Sequence, residues 1–81
     1  NMERGSKYIV FESDLCDTPV LFPKHVTHAN FAFNMTYLGT PISAGFVEKM
    51  PDGSLRAYGE SISLKLKSRE EDTVLINKMF V

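Results

Sequence analysis

The sequence predicts an α+β protein: a small antiparallel sheet of three or four strands with two short helices packed on one face. Three observations predict it. Residues 42–50 alternate apolar and small or polar side chains and run into MPDGS, a hairpin turn in composition. Residues 61–67, SISLKLK, repeat with a period of two. From Ser68 onward a helix-start pattern precedes apolar residues at helical spacing.

In chain order, KYIVF at 7–11 is aromatic and β-branched and reads as the first strand. ESDLCDTP is polar, contains Pro19 and reads as a loop, with VLF at 20–22 left as a very short strand or a core plug. Thr27 is an N-cap candidate, because its hydroxyl can take an otherwise orphaned helical N–H. Behind it His28, Phe31, Ala32 and Met35 recur at i, i+3, i+4 and i+7, one face of a helix that Gly39 and Pro41 end.

The strand from Ile42 should place Ile42, Ala44 and Phe46 on one face. Pro51 and Asp52 suit the centre of a type I turn and Gly53 the left-handed position after it, so Leu55–Gly59 returns as the partner strand. That register sets Met50 opposite Ser54, Glu48 opposite Arg56 and Phe46 opposite Tyr58. Residues 61–67 then form a third antiparallel strand, apolar at Ile62, Leu64 and Leu66 and wet at its serines and lysines. Ser68 with Glu71 makes a capping box, the three acids Glu70, Glu71 and Asp72 meet the positive helix end, and Val74, Leu75 and Met79, extended by Ile76 and Phe80, form the apolar stripe.

Eighty-one residues support one core, so 2–81 is read as a single domain, with Asn1 set aside as a scar before Met2. The composition, 43% hydrophobic and 23% charged, is that of a globular chain rather than a disordered one. Nine Lys and Arg against ten Asp and Glu leave a net charge of -1, which argues against nucleic acid as a partner, since phosphate contacts need a basic surface. No apolar run is long enough to span a bilayer, so no membrane partner is expected. A lone cysteine and no secretory leader point to the cytoplasm.

Little in the chain is overtly chemical. FPKHVTHANF holds both histidines, His25 and His28, as H-x-x-H. Two imidazoles are too few for a metal site without help from Asp14, Cys16 or Asp17, and the spacing matches no common zinc module, so no metal and no cofactor are expected. The structural expectation is a part-buried His28 with one nitrogen bonded to backbone and an exposed His25. Cys16 with His25 and His28 is the alternative, a small metal-assisted or cysteine-dependent enzyme. It lacks an evident orienting group or oxyanion donors. The glycines are scattered, so no phosphate-binding loop is present.

Six Phe and three Tyr exceed what one small core can centre. Phe33 lies off the first helix's apolar face, and Tyr37 and Tyr58 carry polar handles suited to an interface. The expected function is a binding or regulatory module acting through protein–protein contacts at Phe33, Tyr37 and Tyr58. A homodimer is included in that expectation, with residues 7–11 or 61–67 as the sheet edge that would pair.

Overall fold

The computed structural model describes residues 6–81. The expected domain start at Met2 therefore lies outside the described residues. The first strand, β1 (Ser6–Glu12), carries Tyr8, Ile9, Val10 and Phe11, all four fully buried. Successive strand residues point to opposite faces, so four consecutive buried side chains require cover on both sides. β2 (Asp17–Phe22) pairs antiparallel with β1 through the turn at 13–16, where the Ser13 N–H donates to Cys16 O at 3.0 Å. The polar stretch expected as loop is thus half strand, and residues 20–22 belong to a strand of six residues.

β3 (Thr40–Lys49) lies against the other side of β1, and β4 (Leu55–Tyr58) against β3, giving the antiparallel order β2-β1-β3-β4. The β3–β4 hairpin has the register read from the sequence: Phe46 faces Tyr58, Glu48 faces Arg56, and the Met50 N–H donates to Ser54 O at 2.8 Å. Gly53 takes a φ of 91° at the turn, a conformation glycine adopts without a Cβ penalty. Asp52 Oδ1 accepts from the Ser54 N–H at 3.0 Å and holds the turn closed. Arg56 is ion-paired with Glu48.

β1 is paired on both sides, so residues 7–11 are not a sheet edge. Nor is 61–67 a third strand of this sheet. Glu60–Ser61 (β5) and Leu66–Lys67 (β6) make a separate two-residue ladder around a turn. Ser61 Oγ accepts from the Leu64 N–H at 3.2 Å, a local bond that diverts the backbone from a ladder. Ile62 consequently points to solvent, 83% exposed, while Leu64 and Leu66 pack on the core.

The helices α1 (His28–Asn34) and α2 (Glu70–Phe80) cover opposite faces of the sheet, not one. α2 sets Ile76 against Tyr8, Val10, Val47 and Leu55. α1 sets Ala32, with Phe31 beside it, against Ile9, Phe11, Phe22 and Ala44. The cause is the apolar run of β1, which leaves neither face wettable. A bulge in β3 completes the division: pairing steps from Val10–Ser43 to Phe11–Pro41, and the skipped Ile42 packs with the α2 side whereas Ala44 packs with the α1 side. Ile42 and Ala44 therefore do not share a face as the alternation predicts.

Thr27 caps α1, its hydroxyl accepting from the Asn30 N–H at 3.2 Å. The helix stops at Asn34, earlier than its apolar spacing implies, and a single 3-10 turn at Thr36–Leu38 leads to Gly39. α2 begins one residue late: Arg69 is the N-cap, and Asp72 rather than Glu71 accepts from its backbone N–H, at 2.9 Å. Its inward face matches the expected stripe only in part: Leu75 and Ile76 pack on the core, but the face is rotated so that Asp72 lies inward in place of Val74 and Met79. Asp72 and Ile76 are buried, whereas Val74 and Met79 are 68% and 55% exposed.

That rotation has a physical cause at the free side of β4. Asn77 accepts from the Leu55 N–H at 2.9 Å and donates to Leu55 O at 2.7 Å, and Thr73 Oγ1 accepts from the Ala57 N–H at 3.0 Å. The edge groups of β4 are thus satisfied by side chains of α2, which closes this side of the sheet to further strands.

Candidate functional site

The H-x-x-H segment resolves into two unlike histidines. His25 is exposed in the connection after β2. His28 opens α1, is 4% exposed, and its Nε2 lies 2.9 Å from Gly45 O. Only a protonated Nε2 can donate to that carbonyl, so in the neutral ring the proton sits on Nε2 and Nδ1 is the acceptor. The ring stands edge-on to Phe22 and Phe46, at 5.4 and 5.8 Å between centroids. Burial lowers the His28 pKa from 6.5; the Gly45 bond opposes the shift and the Lys7 ammonium adds to it. Gly45 is required at this crossing, because a Cβ there would sit 2.5 Å from the Tyr58 carbonyl oxygen.

Cys16 is exposed in the turn before β2, its Sγ 3.7 Å from Thr18 Oγ1. Cys16 precedes β2 and His25 follows it, so a strand of six residues, about 20 Å at roughly 3.3 Å per residue, lies between them in the chain. The structure does not bring Cys16, His25 and His28 together. Among the described residues, no three of His, Cys, Asp and Glu gather where they could hold a metal ion. No helix among them is long and apolar enough to cross a membrane.

The three aromatic residues singled out as a binding set divide differently. Phe33 and Tyr37 are 79% and 78% exposed, on either side of the junction between α1 and the 3-10 turn. The half-buried Met35 between them anchors this junction to the core. Tyr58 is half-buried: its ring stacks on Phe46 at 5.9 Å, and the Arg56 guanidinium carbon lies 4.9 Å from its centroid.

Beside His28 an open groove of about 430 Å³ is lined by Lys7, Thr27, His28, Phe46, Glu60 and Ile62. Its lining combines the rings of Phe46 and His28 with one cation and one anion. Lys7 Nζ donates to Val26 O at 3.0 Å and Glu60 is exposed; neither enters an ion pair among the described residues. Reading the strand pattern alone misses this groove, because Glu60 and Ile62 reach it only through the local turn at Ser61.

A buried polar cluster was equally hidden in the sequence. Tyr8 Oη donates to Asp72 Oδ2 at 2.6 Å, and Asp72 Oδ1 accepts from Arg69 Nε at 2.9 Å. Tyr8 and Asp72 are fully buried. Burial, with the adjoining carboxylate, pushes the Tyr8 phenol far above its ordinary 10.0. Sixty-four positions separate Tyr8 from Asp72, so no local pattern announces the pair. Its chemistry is structural, since a phenol held protonated beside a satisfied carboxylate offers neither a base nor a nucleophile.

Comparison with protein-family models, with characterised proteins and with solved structures finds no match to this chain.

Proposed function

We propose that the protein is a binding module that acts through protein–protein contacts made by Phe33 and Tyr37. The observation that carries the reading is the near-complete exposure of both rings within five residues of one helical junction, in a chain that buries Tyr8, Phe11 and Phe22. Large aromatic side chains supply much of the energy at protein interfaces, where their rings leave water. α1 carries Phe33 and the 3-10 turn carries Tyr37: Thr27 fixes the start of α1, Phe31 and Ala32 seat it on the sheet with Phe31 stacked on Phe22 at 4.1 Å, and Met35 and Leu38 pack the turn on the same core. A preorganised pair loses little freedom on binding. Tyr58, half-buried with its ring against Phe46 and Arg56, adds less to this reading than the two exposed rings.

The test is photo-crosslinking from position 33 in the native cell extract, with the photoreactive residue moved to exposed Lys24 as the control. The reading predicts one adduct of discrete mass from position 33 that disappears with Tyr37→Ser. No adduct, or the same adducts from both positions, contradicts it.

A further inference from the structure

The groove beside His28 combines a mostly apolar lining with side chains of both charges. Phe46 and His28 supply its aromatic lining, Lys7 and Glu60 provide opposite charges without ion-pair partners among the described residues, and Ile62 lines it while 83% exposed. An exposed apolar side chain at the margin of an apolar groove, with charges of both signs beside it, makes a self-complementary patch, which a two-fold axis can pair with its own copy. In an isologous pair residue i of one copy meets residue j of the other, and j meets i.

We infer that the occupant of this groove is a second copy of the chain. Each Ile62 enters the groove of its partner and lies on Phe46, and each Lys7 faces the partner's Glu60 across the axis. The same two contacts are therefore made twice. Open sides and shallow walls favour this occupant over a small molecule, which a binding pocket ordinarily encloses over most of its surface. The sheet edges are the poorer route. Asn77 and Thr73 bond backbone groups on the outer side of β4, and β2 carries Pro19, a residue that disfavours strand addition.

This inference rests on the reading of the protein as a binding module but uses a surface other than Phe33 and Tyr37, so the two fail separately. Sedimentation equilibrium over a concentration series measures it. Wild type is expected to be a monomer–dimer system. Ile62→Asp, at a solvent-facing position that costs the fold little, is expected to weaken the dimer at least about tenfold. Glu60→Lys, which sets like charges opposite each other, is expected to weaken it also, and Lys7→Glu combined with Glu60→Lys to restore it by exchanging the signs. Far-UV circular dichroism confirms that each variant is folded; if the Lys7 variant is not, Ile62→Asp and Glu60→Lys decide. A wild type that stays monomeric throughout overturns the inference, and so does a dimer indifferent to Ile62→Asp. Neither result touches the crosslink at position 33.

Discussion

Tyr8 is the side chain on which the attachment of the C-terminal helix turns. Its hydroxyl reaches Asp72 inside the core, and Asp72 in turn takes the Arg69 backbone N–H and guanidinium, so one carboxylate joins the helix cap to the central strand. Tyr8→Phe removes a donor from a buried carboxylate and leaves the ring in place. It is expected to cost about 1–3 kcal/mol in urea unfolding, without change in the far-UV spectrum. His28 gives a second expectation, with a sign fixed by its environment. Its folded-state pKa is held below 6.5, so under mildly acidic conditions the unfolded chain binds the proton more readily than the folded one. The stability from the neutral ring is fully present above about pH 6.5 and is lost as the pH falls from there towards the depressed value. Unfolding curves of wild type and His28→Gln taken through this window should converge as the pH drops. Curves that stay parallel contradict the assignment. Its bond to backbone was legible beforehand, though it is buried more fully than the part-buried state expected, because a histidine at the head of an apolar helical face is more cheaply buried neutral than charged. Asp72 was not, since the sequence gives no sign of which acid in Glu70, Glu71 and Asp72 turns inward.

Helix α2 shows why an apolar stripe alone misplaces a helix. Val74 and Met79 fit the expected face, yet the inward positions are Asp72 and Ile76, flanked by Thr73 and Asn77. The difference is set by β4, whose outward backbone groups need partners. Asn77 makes three bonds at once, to the Leu55 N–H, to Leu55 O and, within the helix, to Thr73 O at 2.7 Å. Asn77→Ala leaves the Leu55 groups without these partners and is expected to lower stability by about 1–3 kcal/mol. The Leu55 amide should then exchange with solvent deuterium faster than in wild type; an unchanged rate would show that the edge is protected by other means. The hairpin from β3 to β4 was legible down to its register, because PDG fixes the turn and the turn fixes the pairs. Residues 61–67 were not: the period of two was genuine, but the Ser61 hydroxyl and the turn at 62–65 override it.

Across the molecule, the fold class and strand directions follow from patterning, whereas the placement of the helices on opposite faces follows from burial that no alternation in 42–67 reveals. The clue was in YIVF at 8–11, where four consecutive core residues admit no wet face. Once both faces are roofed, Phe33 and Tyr37 are left over, and the proposed function depends on their being surplus to the fold. Urea unfolding of the double variant Phe33→Ser, Tyr37→Ser measures that directly. The unfolding free energy and the denaturant slope should match wild type within about 0.5 kcal/mol, the range of ordinary surface substitutions. A loss well beyond 1 kcal/mol would show that the two rings belong to the core and would remove the basis for calling them a binding surface.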